Sequence, residues 1–581
     1  MNLPMVGVLR KQGRFLAAEP LFGPGGEKVT LDDRRGSVGD LVLVGASKRG
    51  ARVLRTLGKP WVARDVLEGL MLDRGLRRSF PRKALAEAAE VEPPLDEVAR
   101  ADLRDLATFT IDPEDARDFD DAISAERHDG FVRLWVHIAD VSAYVRPGGA
   151  IDREAERRAT SVYVPGAVEP MLPEALSDGA CSLRPGEDKL AVSVEIDIAH
   201  TDVRRVSFHR ALIRSDARLT YGQVDEVFAG RARAHEPWGG PLEIAREVSR
   251  ALRGRREQRG SLEVNTLEPS FEWDDDGHVT GVSYEQATES HTLIEELMIL
   301  ANEQVAGHLA ERRLPSLYRV HERPDPQSVE LMIARLASLD IPTPALPQRM
   351  SPQQAADVAA EASRMAAAFV RSTGRGRFSF GSLVLRSLKQ AYYTPRNLGH
   401  AGLASAHYTH FTSPIRRYPD LVVHRALLSS IGLDATGPKA GELEEAGVEA
   451  SAREREAMKI ERSADDVCLA FLLERVLAER NAKHPASVPN PSGGDEPLAL
   501  EGEIVGLVGK GAFIRFGEQG FEGFLGARSL HDWYELNEEG TALIGRESSR
   551  ALRIGDPITV AVDRVDAPRG RVDLVPAGAA R

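Results

Sequence analysis

Short strands and turns crowd the two ends of this chain, and that uneven punctuation limits its architecture more than any other feature. Between Met5 and Gly58 the runs MVGVLRKQ, RFLAAEPL, EKVTL, GDLVLVGA and GARVLRTL alternate apolar residues and are split by glycine-rich or charged turns. Five such strands over residues 1–60 predict a small barrel of the OB or cold-shock kind. A basic helical connector is expected over 61–94, with Leu67, Leu70, Met71 and Leu76 on a recurring face and Glu92 to Pro94 closing it. From Leu95 to Arg480 no Gly/Pro/Ser-rich break divides the chain, so 95–480 reads as one large mixed α/β domain. Within it, Phe131 to Val141 alternates as a half-buried strand does, with Val132, Leu134, Val136 and Ile138 on one face. A long helix is expected from Ser290, carrying Leu293, Leu297, Leu300, Ala301 and Leu309 at helical spacing and ending before Pro315. Residues 481–497, NAKHPASVPNPSGGDEP, have linker composition. A second barrel is predicted over 498–577, with Phe513, Phe516, Phe521 and Phe524 between glycine-dominated turns. A strand shows only alternate side chains to one face, so at least two of these rings belong in the core, leaving the others free to stack on unpaired bases. The expected fold class is multidomain, α/β plus all-β.

At 581 residues the chain is too long for one core. No apolar run reaches the roughly 18 residues a membrane span needs, and MNLPMVGVLRKQGRF enters strand pattern without an apolar signal core. A cytoplasmic location is expected. Cys181 and Cys468 lie far apart without ligand spacing, so neither a disulfide framework nor a zinc site is predicted. Net charge is −13, but residues 1–83 carry 17 Lys and Arg against 8 Asp and Glu. The N-terminal end is thus electropositive, as a surface that tracks phosphates needs to be; a merely solvated basic face accounts for charge alone equally well.

The chemistry is concentrated in TFTIDPEDARDFDDAIS, Thr108 to Ser124. Asp112, Glu114, Asp115, Asp118, Asp120 and Asp121 place six carboxylates in ten residues, where repulsion opposes full ionisation without a cation. Hard oxygen donors suit magnesium, with manganese as the alternative, and both ions handle phosphate esters. TFTI reads as a strand ended by Pro113, so the carboxylates should sit on a loop. The glycine and terminal Glu of an EF-hand are missing at the required offsets. An Asp-x-Asp-Asp string also occurs in class II terpene cyclases, whose almost wholly helical build the two barrels argue against. A solvated acidic loop fits poorly beside apolar strands.

A second constellation is YTHFTSPIRRYPDLVVHRALL, Tyr408 to Leu428. Ser413-Pro414 favours a turn, and Pro419 opens an amphipathic helix preceded by Arg416 and Arg417. Guanidinium groups beside a helix N-terminus form an anion site, although one arginine could instead partner the aspartates. Carboxylates for a metal and an arginine pair are the two halves of a phosphoryl-transfer centre.

TIDPEDARDFDDA together with HYTHFTSPIRRYPDLVVHRAL closely resembles the catalytic segments of the ribonuclease II/R (RNB) exoribonucleases. HIADVSAYV, YVPGAVEPMLPEALSDGACSL, LIEELMILAN, LYRVHERPDP and VLRSLKQAYYTP also look like family blocks, in family order, and GSLEVNTLEP resembles one loosely. The last barrel is similar to the family's S1 domain, including LRIGDPITVAVDRVDAPRGRVDL. The resemblance implies an RNB catalytic domain that removes nucleotides from the 3′ end of single-stranded RNA and releases nucleoside 5′-monophosphates. It implies that Asp112, Asp118 and Asp121 hold divalent metal, that Asp120 and Arg416 are catalytic, and that Tyr163 clamps the terminal base. It further implies that Glu461 in KIERSADDV helps hold the last nucleotides, with Arg417 as a neighbouring RNA contact.

Two departures shape the expectations. Relatives commonly carry two N-terminal cold-shock barrels, and the larger ones add a helix-turn-helix segment and a lysine-rich tail, whereas this sequence shows one barrel and ends at VPAGAAR. The sequence therefore leaves open whether structured RNA is degraded. The partners expected are single-stranded RNA and no membrane, and a monomer suffices, with no obligate protein partner. The rival reading is an RNA-binding protein on the same scaffold that has lost its chemistry.

Overall fold

A computed structural model of the chain describes residues 4–13, 15–23, 27–32, 35–47, 50–91, 99–261, 268–433, 437–483 and 499–577. The closing segment Glu92 to Pro94, the linker from residue 484 onward and most of GSLEVNTLEP lie outside the described residues.

The N-terminal strands are β1 (Met5–Gln12), β2 (Phe15–Pro20), β3 (Val29–Thr30), β4 (Leu41–Ala46) and β5 (Ala51–Gly58). They pair in the order β3-β2-β1-β4-β5, and a parallel bridge from Leu31 to Ala51 joins the two ends of the sheet. This is the OB-type closure expected from the strand count. Alternation sends Met5, Leu9, Val42, Val44 and Val53 into the barrel interior. The connector is two helices, Ala63–Asp73 and Arg82–Glu90. Gly75 at φ +82° ends the first of them, because glycine takes the left-handed region without a Cβ penalty.

A seven-stranded sheet forms the centre. Its strands are β6 (Ala101–Asp102), β7 (Phe109–Asp112), β8 (Asp121–His128), β9 (Phe131–Ala139), β12 (Asp188–Ala199), β13 (Asp202–Arg214) and β14 (Ala217–Thr220), in the order β14-β7-β8-β9-β12-β13-β6. Between β9 and β12 in sequence, β10 (Val162–Val164) and β11 (Ala167–Glu169) make a separate hairpin. One face of the sheet packs Phe109, Ile123, Leu134, Val136 and Ile138 on the helix Glu289–Glu311 through Leu293, Leu297 and Leu300. The other face is covered as well, so β9 is buried on both sides over its second half and not half-buried as its alternation predicts. His137 lies on that second face and is satisfied by Ser124 (3.1 Å) and Ser193 (2.7 Å). The helix Tyr418–Ser430 likewise departs from its amphipathic expectation, for every residue from Tyr418 to Leu428 is buried.

Two further two-stranded ribbons follow, β15 (Glu268–Trp273) with β16 (Val279–Glu285), and β17 (Tyr318–Val320) with β18 (Tyr392–Thr394). The C-terminal unit is a closed barrel of β19 (Leu500–Val508), β20 (Gly511–Phe516), β21 (Phe521–Gly526), β25 (Pro557–Asp566) and β26 (Arg571–Pro576). A small sheet of β22 (Tyr534–Leu536), β23 (Ala542–Gly545) and β24 (Ala551–Arg553) is inserted in it. Phe516 and Phe521 are core, whereas Phe513 is exposed and pairs with Phe524 at 5.2 Å, the division that strand alternation requires. A helix of 41 residues, Leu443–Lys483, joins these parts. Its Ile460, Val467 and Leu472 share one apolar cluster with Leu67 and Met71 of the connector, Val162 and Val164 of the hairpin, and Ile504 and Ile514 of the last barrel. Both cysteines are free and buried.

Candidate active site

Asp112 ends β7 and Asp121 opens β8, so adjacent strands of the central sheet bring these two carboxylates to one edge. Asp118 and Asp120 lie on the loop between them. That loop is held along its length: Ser182 Oγ donates to the Arg117 carbonyl (2.7 Å) and accepts from the Phe119 amide (3.0 Å), and the Leu183 amide donates to the Phe119 carbonyl (3.0 Å). Arg218 donates to the carbonyls of Pro113 and Glu114. The block YVPGAVEPMLPEALSDGACSL thus supplies part of the loop's scaffold. Glu114 and Asp115 face solvent.

The second constellation meets this loop directly. The Ile415 amide donates to Asp120 Oδ1 at 2.9 Å, and Arg416 Nε lies 3.5 Å from Asp120 Oδ2. Asp120 is 5% exposed, whereas the Arg416 side chain is 44% exposed, so the carboxylate is enclosed and the guanidinium open. Arg416 Nη2 donates to Ser413 Oγ (3.1 Å). Arg417 Nη2 donates to Asp420 Oδ1 (2.8 Å), which also accepts from the Ser413 amide (2.8 Å). With Asp420 fully buried, this pair fixes the turn that presents Arg416.

Tyr163 stands on β10, 39% exposed, with its hydroxyl donating to Asp118 Oδ2 at 3.2 Å. Its amide donates to Glu461 Oε1 (3.0 Å), so Glu461 reaches from the long helix to the backbone of the hairpin. The hairpin turn needs Gly166: its φ is +75°, and a Cβ there would come 3.3 Å from the Trp273 indole. The Ser161 amide donates to the Arg416 carbonyl (2.9 Å), tying the hairpin to the arginine turn. Tyr163, Asp118, Asp120, Arg416 and Glu461 are therefore joined in one network across nearly 350 positions of sequence.

Burial dominates the electrostatics. It pushes Asp112 up to about 6 and, with the Asp112 charge, Asp121 up to about 7. Asp118 is raised by burial, and Asp120 well above the carboxylate range despite Arg416. Asp112 Oδ2 is buried without a hydrogen-bond partner. Four carboxylates that resist ionisation, one with an orphaned oxygen, have the character of a cation site. Among the described residues no three His, Cys, Asp or Glu side chains converge tightly enough to enclose an ion alone. Magnesium is usually held by one or two carboxylates, with water and substrate phosphate completing its shell, so the donor set fits that ion.

Sequence spacing missed three contributors. Arg218 holds the loop and offsets part of the rise that burial causes at Asp112; Tyr221, its phenol raised chiefly by burial and then by the charges of Asp121 and Asp112, stacks on His291 at 3.8 Å; Ser182 braces the loop. No local pattern marks any of them, since each acts across more than 60 positions.

Residues 100–432 match the RNB domain model and residues 499–575 the S1 RNA binding domain model. The curated Ribonuclease R of Escherichia coli K12 is 33% identical over 565 residues, covering 92% of this chain and 66% of that protein. Ribonuclease R of Aquifex aeolicus is 35% identical over 534 residues, covering 90% of this chain and 72% of its own length. The chain therefore spans about two thirds of the length of these relatives. A solved structure of Mycoplasma genitalium RNase R in complex with ribose methylated single-stranded RNA superposes with a TM-score of 0.85 at 25% identity, covering 99% of this chain and 90% of that one. With more than half of its length matched by the RNB model, this chain belongs to the RNB, or ribonuclease II/R, family.

Proposed function

We propose that this chain hydrolyses single-stranded RNA from the 3′ end, partly or fully processively, and releases nucleoside 5′-monophosphates in RNA degradation or processing. The observation that carries this reading is the convergence of Asp120 and Arg416 at 3.5 Å, from segments nearly 300 residues apart, beside the Tyr163 ring. Asp112, Asp118 and Asp121 are the residues that would hold Mg2+, with Mn2+ as the alternative. The ions, when bound, supply Lewis acidity and neutralise charge on the phosphate. Tyr163 stacks on the terminal base, a contact tolerant of base identity, and its backbone is kept in place by Glu461. Arg416 offers its open guanidinium to the scissile phosphate. Asp120, which accepts from the Ile415 amide and faces Arg416, is the carboxylate we assign to the chemical step. We read Arg417 as a positioning residue for this turn.

The same reading divides the labour along the chain. Residues 1–60 and 498–577 grip the strand, 61–94 connect, 95–480 carry the chemistry and 481–497 link. Among the described residues no helix is long and apolar enough to cross a membrane. Two buried free thiols fit a reducing, cytoplasmic setting. One chain contains every residue the mechanism uses, so a monomer without an obligate protein partner is proposed. A 5′-labelled single-stranded RNA incubated with Mg2+, and in parallel with a chelator, tests the proposal. A descending ladder that the chelator abolishes is expected. Tight binding of RNA that stays full length would instead favour the scaffold without chemistry.

A further inference from the structure

Tyr163 lies within a segment whose two ends meet. Arg158, the last residue of the helix Ala150–Arg158, stands five positions before it, and Glu169, the last of β11, six positions after. Arg158 Nη1 donates to Glu169 Oε1 and to the Pro170 carbonyl (2.9 Å), and the Met171 amide donates to Ser161 Oγ (2.9 Å). Both charged side chains are buried. The path from Arg158 to Tyr163 is closely fixed. Ala159 takes φ +60°, a conformation unfavourable for a residue with a Cβ, and its carbonyl accepts from the Tyr418 amide (2.8 Å). Thr160 forms a bridge with Arg417, the Ser161 amide reaches the Arg416 carbonyl, and Val162 is core. The geometry at the base of the hairpin is therefore passed to the Tyr163 ring and to the arginine turn alike.

The rest of this base comes from the connector. Arg158 Nη2 donates to the carbonyls of Arg77 (3.0 Å) and Ser79 (3.2 Å), its Nε donates to Glu154 Oε1 (2.9 Å), and the Phe80 ring centroid lies 3.9 Å from its Cζ. All five guanidinium N–H groups are thus used. Arg78 takes the other oxygen of Glu169: its Nη1 donates to Oε2 (2.7 Å) and to the Val168 carbonyl (3.1 Å), while its Nε donates to Glu68 on the connector's first helix (2.8 Å). Desolvation offsets most of the attraction in a buried ion network, so what this one supplies is geometry more than stability. Resting on the reading of Tyr163 as the stacking platform for the 3′-terminal base, we infer that Arg78 and Arg158 are positioning residues for that platform. By holding Glu169 from both sides they set where the last base stacks, and they make the N-terminal connector part of the terminal-nucleotide site.

Arg78→Ala tests this without orphaning a carboxylate, since Glu169 keeps Arg158 and Glu68 keeps Arg55 (3.1 Å). The probe is a single-stranded RNA with 2-aminopurine at its 3′ end, bound in chelator so that it stays whole; a strand labelled at the 5′ end is the control. Wild type should quench the 3′ label by stacking, and Tyr163→Ala should lose most of that quench. Arg78→Ala should lose part of it and leave the 5′ label as in the wild type. Arg158→Lys, which has no fork to span Glu154, Glu169 and the carbonyls, should do the same. With Mg2+, Arg78→Ala should raise KM roughly tenfold, the scale of one hydrogen bond to a charged group, with kcat near that of the wild type. Arg78→Lys should recover part of the loss. In a Tyr163→Ala background Arg78→Ala should add little, because both act on one platform. A full 3′ quench in Arg78→Ala and Arg158→Lys, or KM effects of Arg78→Ala and Tyr163→Ala that multiply, would overturn the inference. A quench that survives Tyr163→Ala removes the platform and the inference with it. A wild type that quenches the label yet leaves RNA whole with Mg2+ sinks the hydrolase reading alone, for the fluorescence comparison then still decides whether the two arginines set the stack.

Discussion

At Asp120 one carboxylate serves two neighbours: one oxygen takes the Ile415 amide and the other faces Arg416. Asp120→Asn preserves an acceptor for the amide but removes the charge, so the turn should stay folded while the reaction fails. Turnover is expected to fall by at least about 10²–10³, the scale for losing one preorganised electrostatic group, with RNA affinity within roughly threefold of the wild type by filter binding at matched salt. Parallel loss of binding would place Asp120 in substrate retention instead. The aspartate string was legible because six carboxylates within ten residues need no long-range contact to be recognised. The pairing of Arg417 with Asp420 was not, for a simple geometric reason: its backbone is extended (φ −135°, ψ 121°), so its side chain projects away from that of Arg416 and onto Asp420. Asp121 carries a further consequence. Its folded value of about 7 and the value of about 6 at Asp112 exceed the unfolded value near 4, so between those limits the folded state binds more protons. Their contribution to stability is present at low pH and lost as pH rises through 6 to 7. Chelator-treated wild type should therefore show a melting temperature that falls between pH 5 and 7.5 more steeply than that of Asp121→Asn, and Mg2+ should restore more at pH 7.5 than at pH 5. Equal slopes in the two proteins would remove Asp121 from this role.

Among the elements, the β10–β11 hairpin is far from self-sufficient, since its strands of three residues bury too little to stand alone. It is held by Val162 and Val164 in the shared core, by Trp273 under Gly166 and by Glu461 on the Tyr163 amide. The family resemblance implies that Glu461 helps hold the last nucleotides, but the partner it has in the structure, a backbone amide 298 positions away, leaves no trace in local sequence. Glu461→Ala frees that amide and should lower kcat/KM by roughly 10- to 100-fold, the range for a hydrogen bond to a charged group. Most of the loss should fall on KM if Tyr163 stacks on the terminal base as proposed. Glu461→Gln keeps an acceptor and should retain most of the activity in steady-state assays on RNA of fixed length. Should Gln and Ala behave alike, the charge of Glu461 and not its hold on the hairpin would be the operative property. The same distance argument explains β9: its alternation correctly marked the face under Leu293, yet the cover on its other face comes from elements that alternation cannot see.

The whole molecule joins what the sequence separates. Two barrels at the ends were legible from strand spacing, but not that the connector, the hairpin, the long helix and the last barrel bury one continuous apolar cluster. Such contacts depend on which faces meet across several hundred residues, and periodicity reports only that a face exists. This changes how the electropositive end should be tested. Deleting residues 1–83 would strip Val66, Leu67, Leu70 and Met71 from the core and confound binding with folding. Exposed point substitutions avoid that cost, since surface changes away from such features are usually within about 0.5 kcal/mol. Lys11, Arg52 and Arg77 are exposed and stand on the barrel and its connector. If the N-terminal excess of positive charge tracks the RNA backbone, their combined replacement by Ala should flatten the plot of log affinity against log salt by up to about 2, from roughly 0.7 per phosphate contact on a single strand. Affinity should fall most at low salt, and the turnover rate at saturating RNA should hold. Lys439→Ala, which removes an exposed charge paired with Glu442 in the segment before the long helix, should leave the slope as it is. A triple variant with an unchanged slope would mean that the strand enters by another surface and that the basic end is simply solvated.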